Sequence, residues 1–328
     1  MTKEYTTFDN ITLTNDEVLY CSFGNWSNRF KQDMYDYRII KMPTAFISYI
    51  SSDSIKLPQD QRITVLQHNS DNEYSDWEDE EEERIDVSQF QEFHDEVVQA
   101  IKEFGKVIPK LNWSSPKDSK WIMPGNTLKC DNVNDVYLLL NSSDHIADDL
   151  DYPFSATNED AIPVEYDLIL KKWIDINPAL EFRLFIKDEK ILGVTQRDLQ
   201  HYQFLQDIKE QLRTKIHEFV YEKVIPKMKS QKFILDIYIP RPFNKVYIID
   251  INPFSRKSDD LLYTWNELLK IDTSKINEND YEFRLITENN LGSFARKEYS
   301  ESQVPIDVVG ASMDSEAMIE LVKSSKFE

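Results

Sequence analysis

FILDIYIPRPFNKVYIIDINPF, residues 233–254, places two apolar runs on either side of a proline-rich stretch. Ile, Leu, Val and Tyr suit a pleated, half-buried surface, and Pro and Asn suit a turn. The segment therefore reads as an antiparallel hairpin whose loop, Arg241 to Lys245, is centred on Phe243. That register sets Asp236 opposite Asp250 and puts Asn252 on the face of Asp250, beside Ile248. Like charges facing each other across strands are destabilising, and a buried carboxylate is costly unless paired. A bound cation removes both penalties. Two carboxylates and an amide oxygen are hard ligands, the type magnesium takes when it also bridges nucleotide phosphates. The plainer alternative is that one Asp caps a turn or meets a lysine, while Asn252-Pro253 merely ends the strand.

Working outward, LEFRLFIKDEKILGVTQR (180–197) reads as a second hairpin. A turn centred on Glu189 places Arg197 opposite Glu181 and Arg183 opposite Thr195, with Glu181, Arg183 and Phe185 on one face. EYDLILKKWI (165–174) reads as a strand that carries Lys171, Lys172 and Trp173 among apolar neighbours. PKLNWSSPKDSKW (109–121) adds Lys110, Lys117, Lys120 and Trp121, and Lys129 follows. Cations set repeatedly into apolar strands are unusual, more so in a chain with 38 Lys and Arg against 59 Asp and Glu, a net charge of −21. Such side chains hold phosphate oxygens, and the backbone of Lys171–Ile174 suits an adenine edge. Taken singly, each has a structural alternative: Glu181–Arg197 as a cross-strand salt bridge, Lys171 or Lys172 as a solvent-facing charge.

Composition narrows the rest. There are only 6 glycines, roughly a quarter of the usual ~7% share. Neither a GxxxxGK[ST] loop nor a GxGxxG turn is present. A nucleotide would therefore be met by cationic side chains. The acidic balance argues against a nucleic-acid binder and for solubility or a basic protein partner. Cys21 and Cys130 are too few for a disulfide framework or a zinc cluster. With two cysteines, no apolar leader and no 18-residue apolar run, a cytoplasmic protein is expected, and a monomer. No catalytic set stands out, and His68, His94, His145, His201 and His217 are scattered.

The predicted class is α+β. Tyr20, Phe23, Trp26 and Phe30 recur at helical spacing. A helix from about Ser88 carries the stripe Phe90, Phe93, Val97, Ile101 and Phe104 and ends at Gly105. Further helices are expected after an Asn134 cap, over 201–226, over 258–270 and over 313–326. Residues 69–86 hold ten acids and one Arg and are expected to be a disordered loop. The chain divides into 1–68 and 87–164 as the first subdomain, with the acidic loop between them, and 165–328 as the second with a C-terminal extension.

Several blocks together carry a family resemblance: PKLNWSSPKD, WIMPGNTLKC, LILKKW, NPALEFRLFI, TQRD, LDIYIPRPFNK, IIDINPF and LLYTWNE. With the N-terminal YTTF and the YSDWEDEEE run, the sequence resembles the cell division cycle protein 123 family, its fungal members most of all. The resemblance implies an ATP-grasp-like fold with an ATP cleft between two subdomains. It also implies an assembly chaperone for eukaryotic translation initiation factor 2 that binds the gamma subunit at its C-terminal domain, needed for translation initiation and cell-cycle progression. By residue, it implies that Lys110 contacts phosphate and that Asn112 to Asp118, including Trp113, Ser115 and Lys117, form the adjacent loop. It makes Lys171, Lys172 and Trp173 the adenine hinge. Arg183, Arg197 and Asp198, near Glu181, become inner polar residues, and Asp236, Asp250 and Asn252 become magnesium ligands. Arg often stands in the family where this chain has Lys171 and Lys117, so planar geometry is lost there while charge is kept. The competing reading is an ATP-grasp ligase that joins a carboxylate to an amine through an acyl phosphate.

Overall fold

The computed structural model describes residues 11–52, 57–58 and 87–287. The acidic run 69–86 and the helix expected over 313–326 lie outside the described residues. Two short helices, α1 (Asn15–Tyr20) and α2 (Phe23–Trp26), precede strand β1 (Tyr37–Lys41) and helix α3 (Thr44–Ile50). Helix α4 (Gln91–Phe104) leads into β2 (Val107–Lys110), followed by α5 (Val133–Asn141), α6 (Asp144–Asp151) and β3 (Asp167–Lys172). A hairpin of β4 (Glu181–Lys187) and β5 (Lys190–Gln196) runs into α7 (Gln203–Asp207) and α8 (Lys209–Phe219). The hairpin of β6 (Lys232–Tyr238) and β7 (Tyr247–Pro253), then α9 (Trp265–Lys270) and β8 (Glu282–Arg284), complete the described chain. The α+β class is borne out.

Local chemistry sets the element ends. Thr14 and Glu17 close a capping box at α1, satisfying donors that a helix start leaves unpaired. In α4 the expected stripe is buried through Phe93, Val97 and Ile101, and Gly105 ends it at φ 76°, where a side chain would be strained. Three helix expectations need correction. The cap of α5 is Asn132, whose side chain accepts from Asp135 N, not Asn134. The single helix expected over 201–226 is broken into α7, α8, a π turn at Val220–Val224 and a 3₁₀ turn at Ile225–Lys227; Pro226 cannot donate to an α-helical ladder. The helix expected from 258 starts only at Trp265, where Thr264 and Glu267 form a second capping box.

Two sheets result. The first has order β1-β3-β2, all antiparallel; the second has order β7-β6-β4-β5-β8, antiparallel except for the parallel β5–β8 pair. Strand β3, placed at the head of the second subdomain by the sequence division, is the central strand of the first sheet. The reason is its alternation: Leu168 and Leu170 pack into the core under α3, α4 and α5, with Phe46, Val97 and Tyr137, while Ile169 joins the other core. That other core unites α8, through Leu212 and Ile216, with Phe182, Leu184, Leu235 and Ile237 of the second sheet and with Phe23 and Trp26 near the N-terminus. On the opposite face of the second sheet Phe185, Ile234, Phe254, Tyr263 and Trp265 form a third cluster.

Candidate functional site

Register builds the site across the second sheet. Asp250 of β7 pairs with Asp236 of β6, Asp236 with Arg183 of β4, and Arg183 with Thr195 of β5. The expected Asp236–Asp250 and Arg183–Thr195 pairings are both present. The β6–β7 ladder shifts register between Asp236 and Ile237, so Ile248 and Ile251 are the buried core residues of β7. The bulge corrects one expectation: Ile248 does not share the face of Asp250 and Asn252.

Flanking cations resolve the like-charge problem: Arg183 meets Asp236 from the far side of β6, and Lys110 meets Asp250. Arg183 Nε donates to Asp236 Oδ1 at 2.7 Å and its Nη2 to Oδ2 at 2.7 Å, a bidentate pair in which both side chains are buried. A third donor, Nη1, reaches the Asp259 carbonyl at 2.8 Å. Arg197 Nε lies 3.5 Å from Asp236 Oδ2, and its Nη1 3.5 Å from Glu181. Burial works against the charged form of Asp236, but Arg183 and Arg197 outweigh it and hold the carboxyl well below its usual range.

The first sheet supplies the facing lysines. Lys110, only 1% exposed, donates to Asp250 Oδ1 at 3.0 Å and to the Trp113 carbonyl at 2.7 Å. Lys171 donates to the Ile249 carbonyl at 2.6 Å. Both ammonium groups lie over the Phe23 ring, at 5.6 and 6.0 Å from its centroid. Lys117 comes from the loop after β2. Burial, then the charge of Arg197, push its ammonium down to about 7, against the pull of Asp236. Burial takes Lys171 down to about 8, offset in part by Asp250. Five cations, Lys110, Lys117, Lys171, Arg183 and Arg197, thus meet three carboxylates, Glu181, Asp236 and Asp250. The formal excess of positive charge in an acidic protein suits a polyanion.

The other named residues lie outside this convergence. Asn112 is buried and ties Ser22 Oγ, the Glu165 carbonyl and Asp167 N together. Trp113 donates from Nε1 to the Val18 carbonyl. The Ser115 carbonyl closes a turn on Lys117 N. Asp118 accepts from Ser143 Oγ and His145 N at the start of α6. Asp198 accepts from Gln200 N and Tyr202 Oη. These five frame the loops. Lys172 pairs with Asp36, and the Trp173 indole donates to Asp175. The backbone amides of Lys172 and Trp173 donate to the Asp36 and Lys106 carbonyls. They are not free as adenine donors, because β3 is a central strand with both edges paired.

Phe23 and Asp149 escaped the sequence reading. Asp149 accepts from Ser114 N and Oγ, both at 2.8 Å, and so fixes the loop that follows Lys110. Burial, eased by those two bonds, raises its carboxyl to about 6. The periodicity of Tyr20, Phe23, Trp26 and Phe30 was visible, but not that Phe23 would serve two lysines 87 and 148 positions away.

A magnesium ion is matched in part. Among the described residues Asp250 keeps one oxygen without a protein donor, and Asn252 makes no side-chain hydrogen bond. Asp236 has both oxygens committed to Arg183. Among the described residues no group of three or more His, Cys, Asp or Glu forms a metal cage. Magnesium commonly takes one or two carboxylates and completes its shell with phosphates and water. Asp250 and Asn252 fit that mode, and Asp236 is better described as the anchor of Arg183.

Fold and site define an α+β protein in which cations converge at the junction of two antiparallel-rich sheets. Residues 26–312 match the D123 family, and the chain belongs to that family. It is 53% identical over 340 residues to the "Translation initiation factor eIF2 assembly protein" of Candida albicans, covering 98% of this chain and 96% of that one. It is 44% identical over 337 residues to "Cell division cycle protein 123" of Candida glabrata, with 98% and 94% covered. Among solved structures, that of Cdc123 from Schizosaccharomyces pombe superposes with a TM-score of 0.70 at 30% identity, over 85% of this chain and 100% of that one.

Proposed function

We propose that this chain binds ATP with magnesium in the cleft and acts as an assembly chaperone for translation initiation factor 2, engaging its gamma subunit. The observation that carries the nucleotide part is the convergence of Lys110, Lys117, Lys171, Arg183 and Arg197 from both sheets onto one face. Lysines whose charge is disfavoured by burial and by neighbouring cations gain a counter-charge when a triphosphate is present. Arg183, locked by Asp236, offers a fixed guanidinium, while Lys117 and Lys171 supply adjustable ammonium groups. Asp250 and Asn252 are the residues that would hold the metal, whose chemistry is to neutralise and orient phosphate oxygens. An ATP-grasp-like arrangement would place the nucleotide where the two sheets meet. The partner part rests on the names of relatives at 53% and 43% identity that span almost the whole chain. A cytoplasmic role in translation initiation and cell-cycle progression accords with both.

In this reading nucleotide joins the sheets and fixes the chain in a partner-binding form, without turnover. The test is reconstitution from purified alpha, beta and gamma subunits, with heterotrimer yield followed by gel filtration. The chain with magnesium and ATP should raise the yield, and Lys117→Met should not. ADP release matched one-for-one by a covalently modified subunit would instead establish a ligase.

A further inference from the structure

The tip of the β6–β7 hairpin carries two cations that the cleft does not use. Arg241 and Lys245 are exposed, and among the described residues neither lies within the 4.0 Å that defines a salt bridge to a carboxylate. Some other exposed cations are paired, as Lys215 is with Glu218 and Lys275 with Asp272.

Both tip cations lie over aromatic rings instead. The Arg241 guanidinium is 5.2 Å from the Phe204 ring and 5.5 Å from that of Phe243. Lys245 is 4.3 Å from the Tyr247 ring, which stacks on Tyr35 at 4.2 Å and 12°. Rings hold a cation in place while leaving its N–H donors open. The tip is also fixed by backbone: Phe243 sits at φ 67°, a conformation bulky residues rarely adopt, and its N–H donates to the Pro240 carbonyl at 2.8 Å.

We propose that this tip is a docking surface for a carboxylate-bearing peptide segment of a protein partner. A planar guanidinium with open donors matches one carboxylate in bidentate fashion, Lys245 takes a second acid, and the surrounding rings accept an adjoining apolar side chain. Tyr, Phe and Arg are the residue types that protein interfaces concentrate. Nucleic acid and anionic membrane fit worse. Their binding depends on many phosphate contacts, which two cations on a chain of net charge −21 cannot supply.

For its partner the proposal rests on the assembly reading, so the probe is the purified gamma subunit, titrated into the full chain by calorimetry. Arg241→Glu with Lys245→Glu should weaken binding about tenfold or more and leave ATP affinity unchanged. Lys215→Glu with Lys275→Glu, the same charge change elsewhere, should have little effect. Arg241→Gln with Lys245→Gln keeps polar side chains at both sites, guards against misfolding and should weaken binding about threefold or more. Wild-type affinity in the glutamine variant, or an equal loss in the control pair, overturns the docking surface alone. Failure of the unmutated chain to bind gamma overturns the assembly reading with it. Capture of a single-stranded RNA oligonucleotide by the tip, with gamma binding unaffected by the substitutions, also overturns it.

Discussion

Asp236 is tolerated in the sheet because one guanidinium satisfies both its oxygens. Removing one partner of such a buried pair leaves an uncompensated charge, which costs about 3–5 kcal/mol. Asp236→Asn is therefore expected to lower unfolding stability by about that amount, read from urea melts with an unchanged m-value. An Asn variant within about 1 kcal/mol of wild type would show that Arg183 is not dependent on it. Lys117 behaves in the opposite sense. Its ammonium is pushed down to about 7 in the fold, from an ordinary 10.5. Between those values the unfolded chain holds more protons than the folded one, so stability rises with pH. As pH rises from about 7 to about 9, wild type should gain on Lys117→Met by up to about 1 kcal/mol per pH unit. A difference that does not change with pH would mean that Lys117 lies free in solvent.

At the scale of elements, both hairpins were legible because their turns set their registers, so that Asp236 opposes Asp250 and Arg183 opposes Thr195. What joins the hairpins was not legible. The β4–β6 pairing that brings Arg183 to Asp236 spans 53 positions, and no local turn encodes it. The parallel β5–β8 pair was hidden likewise, since Glu282–Arg284 is too short to show alternation. The bulge beside Ile249 escaped because apolar residues fill both parities of VYIIDI. Of the Lys171–Ile174 backbone expected to meet an adenine, the amides of Lys172 and Trp173 are committed to Asp36 and Lys106, a pairing across the sheet that the local sequence does not encode. Packing also explains a residue passed over in the sequence. A methyl group on Gly193 of β5 would overlap the Tyr263 ring, whose hydroxyl donates to the Glu282 carbonyl at 2.6 Å. Gly193→Ala should cost about 1–3 kcal/mol, typical of overpacking, in thermal or chemical unfolding. A neutral result would show that Tyr263 moves aside freely.

Across the whole molecule, the two sheets meet through Lys110–Asp250 and Lys171–Ile249, and the N-terminal Phe23 closes the same junction from a third side. Lys171 and Arg183 stand out in the sequence as charges among apolar residues, Lys117 and Arg197 do not, and the convergence of all of them depends on how the sheets face each other. A ligand that binds only this folded junction stabilises it by mass action, which ties nucleotide occupancy to the shape offered to a partner. The most direct measurement is a calorimetric titration of ATP, with and without magnesium, into wild type, Lys117→Met and Asn252→Ala. Saturable one-to-one binding by wild type is expected, strengthened by magnesium. Lys117→Met should lose about tenfold or more in both conditions, and Asn252→Ala only in the presence of the metal. No heat with wild type, or one affinity shared by all three proteins, would contradict a nucleotide in the cleft.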